Sequence, residues 1–455
     1  MTTDSREIAR RLLARSVGSP AQQHNASDAA RDSGSVRNTL APAAAGARVV
    51  SADFDPTFTK HPGVIEAEAT FGNLDTVFSA VDLPNPFYLP HQDTNGPTVR
   101  YFDEDIPNFG SFSYLGMAVE PRVREAAKSA IDTYGTSVSA ARIVSGEIPL
   151  YNDIETHLAG LYGVDDAIVT ASGYLTNAAT VGFLLSNSDL AVCDSLVHSS
   201  VLSGTQWAGC RRLNFRHNDP ASLDAILSMS RSSFGRAMVI IEGHYSMDGD
   251  IPRLPEIIEV ARKHRCSIMI DEAHSFGVLG KTGKGVRELF DLPGDAVDVW
   301  MGTLSKAMGS VGGFVAGSHE LVQAFKYTAP GLSLYATGPA PSAIAAALES
   351  LRILDEEPER VTSLQENGAT LSRLAQEAGF DTGISQGTPI VPIILGSKAI
   401  TCSAKMLQAG INVNAIVYPS VPEGEERLRF FLNTAHTTEQ LEHTIDTLRD
   451  VAATI

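Results

Sequence analysis

Cysteine is scarce: Cys193, Cys210, Cys266 and Cys402 are the four in 455 residues. No two form a Cys-x-x-Cys pair and their spacing suits no zinc site, so no structural metal is expected. Buried or idle thiols in a reducing compartment remain as the reading. No apolar run reaches the roughly 18 residues that a membrane span needs. No charged segment followed by an apolar core opens the chain, so secretion is not expected and a cytoplasmic location is. Basic residues are outnumbered, with 35 Lys and Arg against 53 Asp and Glu. The resulting net charge of -18 argues against nucleic acid or an anionic membrane as the main partner.

Lysine is absent before Lys60. Residues 1–60 are instead rich in Ala, Ser and Arg, with Ile8, Leu12 and Leu13 on one face of a short candidate helix capped by Ser5. The rest of that stretch lacks the apolar density of a core and reads as a disordered extension or docking arm. A transit peptide would have the Arg and Ser but not Asp4, Glu7, Asp28 and Asp32. Residues 61–109 read as an arm or linker, in which Pro84, Pro86 and Pro90 break any long helix.

From about residue 110 short apolar runs alternate with helical patterns. Ala167–Thr170, Met238–Ile241, Ser267–Ile270 and Val297–Met301 have the length and composition of strands buried on both faces. Leu254–His264 reads as a crossover helix. The fold class is α/β, with a mostly parallel central sheet over 110–339. Beyond it, 340–455 reads as a smaller C-terminal α+β domain. Its expected helices are Ala343–Leu354, Leu371–Ala378 and Thr438–Ala453, with a strand-like run at Pro389–Leu395.

Ligands of parallel sheets sit at the carboxyl ends of the strands. Those ends carry Asp271 and His274, Thr303 and Lys306, Ser172–Gly173–Tyr174, and Glu242–Ser246. Singly, such residues are more often a helix cap, a surface cation or a satisfied histidine. Together they suit pyridoxal 5'-phosphate (PLP). Lys306 supplies the amine for an imine. Asp271 keeps the ring nitrogen protonated. The helical run Thr176–Leu185 offers its N-terminal N–H groups to the phosphate, and Thr303 adds a hydroxyl.

The motifs around these residues resemble the α-oxoamine synthases of PLP fold type I, a family that includes 8-amino-7-oxononanoate synthases and serine palmitoyltransferases. They run from SFSYLG (Ser111–Gly116) and YGTSVSAARIVSG (Tyr134–Gly146) through SGYLTN (Ser172–Asn177) and DSLVHSS (Asp194–Ser200). YSMDGD (Tyr245–Asp250), DEAHSFGVLG (Asp271–Gly280), GTLSKAMGSVGG (Gly302–Gly313) and RLRFFLNTAH (Arg427–His436) follow. The resemblance implies that Lys306 is the imine lysine, that Asp271 pairs with the ring nitrogen and that His274 approaches the phenolic oxygen. It implies that His198 stacks on the ring and that Ser246 contacts the cofactor. Thr303 resembles a phosphate contact, and Thr337 one made from the other subunit of a homodimer. Arg429 resembles the arginine that grips the amino-acid carboxylate. The implied reaction is decarboxylative condensation of an amino acid with an acyl thioester, on CoA or an acyl-carrier protein, to an α-amino ketone.

Phe112 stands where many members have Asn, and Tyr151 where many have His, before a helix expected from about Asn152. With the long N-terminal segment, these departures point to a long-chain or carrier-bound acyl donor. The competing readings are transamination or aldol cleavage on the same fold, and a scaffold without activity. The intact set Lys306, Asp271 and His274 opposes the last.

Overall fold

The computed structural model describes residues 58–455. The chain divides into two compact units at Tyr88 and Leu89. Residues 1–57, and with them nearly all of the 1–60 extension, lie outside the described residues. In the first unit the described part holds the helices Pro62–Phe71 and Leu74–Ala80. No helix follows through Pro84 and Pro86, as a ring-locked φ and a missing N–H require.

The second unit opens with a hairpin, β1 (Thr98–Tyr101) and β2 (Glu104–Pro107). Its centre is a seven-stranded sheet. The strands are β3 (Asp166–Thr170), β4 (Leu190–Asp194), β5 (Arg211–Phe215), β6 (Ala237–Glu242), β7 (Ser267–Asp271), β8 (Val299–Thr303) and β9 (Gly313–Gly317). Their order is β3-β9-β8-β7-β6-β4-β5, and β9 alone runs antiparallel to its neighbours. The class is α/β with a mostly parallel sheet, as the alternation of runs indicates.

Both faces of this sheet are covered, which explains the unbroken apolar runs. In β6, Val239 and Ile241 enter one core while Met238 and Ile240 enter the other. Trp300 in β8 points into the first core, Val299 and Met301 into the second. Burying each such side chain contributes about 1.5–3 kcal/mol, so the two cores fix the register of every strand end. β8 begins two residues later than the apolar run Val297–Met301. The Asp298 carboxylate accepts the Ile268 N–H at 2.7 Å and the Arg262 guanidinium at 2.8 Å, which ends the ladder there.

Near the C-terminus, β10 (Ile390–Ile394), β11 (Asn414–Ile416) and β12 (Arg427–Phe431) form an antiparallel sheet in the order β10-β12-β11. Helices Pro341–Glu356, Glu359–Glu377 and Thr438–Ala452 accompany it. The second begins well before the expected Leu371. Gly368 and the polar residues around it mask the periodicity of Val361, Leu364 and Leu371, all buried. A Cβ at Gly368 would lie 2.6 Å from the Thr388 backbone, so the glycine serves close packing.

Candidate active site

A cavity of about 420 Å³ opens at the carboxyl ends of the parallel strands. Lys306, His198, Asp271, His274, Gly173, Tyr174, Ser246, Thr303 and Arg429 all line it. Thr337 does not. It is exposed and bridges its backbone to Ala141.

Asp271 ends β7, where the ladder turns its carboxylate into the cavity. Its Oδ1 accepts the Ala273 N–H at 2.9 Å, and its Oδ2 accepts the Asn177 amide at 2.6 Å. Each oxygen of the buried carboxylate thus has a donor. Asn177 also donates to the Ser200 hydroxyl at 2.9 Å, so one amide ties the carboxylate to the helix Ser199–Ala208. Lys306 follows β8 in the GTLSK turn. Burial pushes its amine down to about 8, against the pull of Asp271 and Glu242. An amine near 8 is neutral often enough to attack a carbonyl carbon.

The helix over Gly173–Leu184 begins three residues before the expected Thr176. That places the backbone N–H groups of Gly173 and Tyr174 in its first turn, unpaired within the helix and at the cavity wall. The Thr303 hydroxyl stands beside them, 2.8 Å from Ser305 Oγ. A Cβ on Gly173 would come within 2.8 Å of Thr303 Oγ1, so this corner is a cradle that only glycine leaves open.

His198 caps the helix Ser199–Ala208, its Nδ1 accepting the Ser200 N–H at 3.3 Å. Tyr174 meets its ring edge-on at 5.9 Å. Burial lowers the imidazole below its ordinary value, with Asp271 opposing. His274 lies against Phe431, the rings stacked at 5.9 Å. Burial, then Lys306, holds it well below its ordinary value, so it is neutral. Its Nδ1 lies 2.8 Å from the Tyr114 hydroxyl.

Arg429 comes from β12. One Nη donates to the Ser246 carbonyl at 2.9 Å, and the guanidinium sits 4.4 Å over the Phe431 ring. Its buried Nε has no partner among the described residues. Since guanidinium stays charged even when burial lowers it, a cation with free donors faces the cavity. Phe112 forms another wall, edge-on to Phe431 at 6.0 Å.

Three lining residues carry chemistry that sequence reasoning did not assign. Asn177 closes the SGYLTN motif, and its place one turn after Gly173 was the available signal. Glu242 ends β6 and is buried. Phe431 lies two residues beyond Arg429, on the same face of its strand. Tyr151 takes no part in the cavity. It sits within the helix Pro149–Tyr162, which starts earlier than expected, and donates its hydroxyl to the Pro339 carbonyl at 2.6 Å. The departure at Tyr151 therefore acts on the loop that carries Thr337.

The residues present fit PLP. The glycine cradle with its N–H groups suits a phosphate, the two-donor carboxylate suits a protonated ring nitrogen, and Lys306 suits the aldehyde carbon. No cluster able to hold a metal ion occurs among the described residues. None of their helices is long and apolar enough to cross a membrane.

The family described as aminotransferase class I and II matches residues 104–448. The 8-amino-7-oxononanoate synthase of Symbiobacterium thermophilum is 37% identical over 343 residues, 75% of this chain and 87% of that protein. Its counterpart in Treponema denticola is 38% identical over 342 residues, 75% of this chain and 86% of that protein. Among solved structures, the serine palmitoyltransferase of Sphingomonas wittichii superposes with a TM-score of 0.81 at 27% identity, covering 88% of this chain and 99% of that one. A serine palmitoyltransferase solved with PLP superposes with a TM-score of 0.81 at 28% identity, covering 86% of this chain and 98% of that one.

Proposed function

The chain belongs to the class I and II aminotransferase family, as an α-oxoamine synthase, and from that premise we propose how its own residues divide the work. The enzyme is a PLP-dependent acyltransferase that condenses an amino acid with an acyl thioester, releasing carbon dioxide and thiol. When bound, PLP supplies the electron sink for the carbon–carbon bond formation. One observation carries the assignment of roles: Lys306, the Asp271 carboxylate, the Gly173 cradle and the Arg429 cation converge on one cavity.

In this reading Lys306 bonds the cofactor, and its Nζ, once displaced by the amino acid, takes the α-proton. Asp271 holds the proton on the ring nitrogen. Gly173, Tyr174 and Thr303 hold the phosphate. His198 would pack on the ring face, Ser246 would contact the cofactor and His274 would approach its phenolic oxygen. Arg429 binds the amino-acid carboxylate. Thr337 serves the phosphate of a partner subunit in a homodimer. Residues 110–339 form the cofactor-binding domain and 340–455 the smaller one, and the protein works in the cytoplasm.

For the acyl donor we propose a long or carrier-bound chain, because Phe112 and Phe431 give the cavity an apolar wall where an amide would favour a polar one. The assay is incubation with an amino acid and an acyl-CoA series, reading free thiol. Thiol release that rises with chain length is expected. An oxo acid formed without thiol would instead mean transamination. Borohydride reduction and peptide mapping should place the pyridoxyl label on Lys306, and a label on another lysine removes that assignment.

A further inference from the structure

The cavity holds two carboxylates side by side, and one of them, Glu242, has no part in the chemistry proposed for it. β6 and β7 are parallel neighbours, and Glu242 is the register partner of Asp271. Paired residues on such strands project to the same side of the sheet, and both line the cavity. Glu242 is 3% exposed.

Their surroundings differ in the number of donors. Asp271 receives one at each oxygen, the Ala273 N–H at 2.9 Å and the Asn177 amide at 2.6 Å. Among the described residues Glu242 receives only the Ser246 N–H, at 3.4 Å on Oε2. Its Oε1 is buried and has no partner among the described residues. Two adjacent buried carboxylates do not both ionise cheaply, and the proton goes to the one with fewer donors. The charged and titratable groups around Glu242 include Asp194 on β4, Tyr245 in the loop after β6, Asp271 on β7, Lys306 beyond β8 and Arg429 on β12. Burial, then Asp271, raises the Glu242 carboxyl well above the usual range, against the pull of Lys306.

We infer that Glu242 is carried as a neutral carboxylic acid in the cavity wall, beside the Asp271 carboxylate. Glu242 thus keeps the site's negative charge at one, so that Asp271 alone sets the charge on the ring nitrogen. This concerns the PLP cavity and rests on that reading for the ligand alone.

The test compares holoenzyme with Glu242→Gln by infrared difference spectroscopy in water and deuterium oxide. It is run at alkaline pH, above the value of about 7 to which burial pushes the neighbouring Glu272. The expected result is a deuterium-sensitive C=O stretch of a protonated carboxyl in the native protein that Glu242→Gln lacks. A native spectrum without such a band overturns the inference, and this arm needs no variant that folds. The second arm is the pH titration of the bound-PLP absorption. Removing an ionised carboxylate this close would lower the midpoint by about 1–3 units. Glu242→Gln is expected to move it by well under one unit, and a drop of the larger size overturns the inference. A protein that binds no PLP at all would defeat the functional reading, while the infrared band would still decide the state of Glu242.

Discussion

Tyr114 and His274 form a pair whose proton positions follow from their surroundings. Burial holds the Tyr114 phenol well above its ordinary value and the His274 ring well below its own, so both are neutral. A neutral phenol donates and a neutral ring nitrogen accepts, at 2.8 Å. His274 therefore carries its proton on Nε2, which has no partner among the described residues and is free to donate into the cavity. Tyr114→Phe removes that lock. Nitrogen-15 chemical shifts of His274 should show mixed tautomers, and kcat/KM should fall by roughly five-fold, the worth of about 1 kcal/mol. A single unchanged tautomer would show that the hydroxyl does not set it. At this scale the chemistry was largely legible in the sequence, because Lys306, Asp271 and His274 lie in local motifs at strand ends. Tyr114 stood within SFSYLG, but its link to His274 spans 160 residues and no local spacing reports it. Glu242 was visible as a strand-end acid. Its protonation depends on donor counts that only packing reveals.

At the scale of elements, the strands legible in the sequence were those with unbroken aliphatic runs. The Arg211–Phe215 strand is an edge strand with largely exposed residues, and Gly313–Gly317 is bracketed by glycines, so neither shows that signature. β9 needs its glycine-rich neighbourhood, because Gly302 of β8 lies opposite Phe314. A Cβ at Gly302 would sit 2.3 Å from the Phe314 ring. Gly302→Ala should cost about 1–3 kcal/mol through overpacking, read as a lower urea midpoint at an unchanged slope. A second tie between elements is His217. Its Nδ1 lies 2.9 Å from Asp194 at the end of β4, and its Nε2 lies 3.0 Å from Asp250 in the loop after β6. That loop carries Ser246, whose carbonyl fixes Arg429. Burial lowers His217, but the bonds to Asp194 and then Asp250 outweigh it and push the ring up to about 10. The unfolded value is about 6.5. A raised folded value stabilises fully below about 6.5, and that stabilisation is lost as pH rises from there to about 10. The melting temperature of the native protein should fall across that window more steeply than that of His217→Gln. Parallel curves would remove the tie.

At the scale of the whole molecule, one residue proposed for the site, Thr337, stands apart from the cavity of its own chain. Thr337 is exposed, in a loop pinned by the Tyr151 hydroxyl on Pro339 and bridged to Ala141. Within its own chain it does not line the cavity that holds the Gly173 cradle. Shared sites in a homodimer would bring it there, and subunit mixing separates the two arrangements. Lys306→Ala abolishes the cofactor bond in its own chain, and Thr337→Ala weakens the phosphate contact wherever that threonine acts. In a mixed dimer with shared sites, one site takes Lys306 from the Thr337→Ala chain and Thr337 from the Lys306→Ala chain. That site is intact, and the other carries both defects. Tight PLP binding and native turnover should therefore reappear at one site per mixed dimer, although neither parent homodimer shows both. If Thr337 served its own chain, every site of the mixed dimer would carry at least one defect, and mixing would restore nothing. Sedimentation of the native enzyme as an active monomer would exclude shared sites directly.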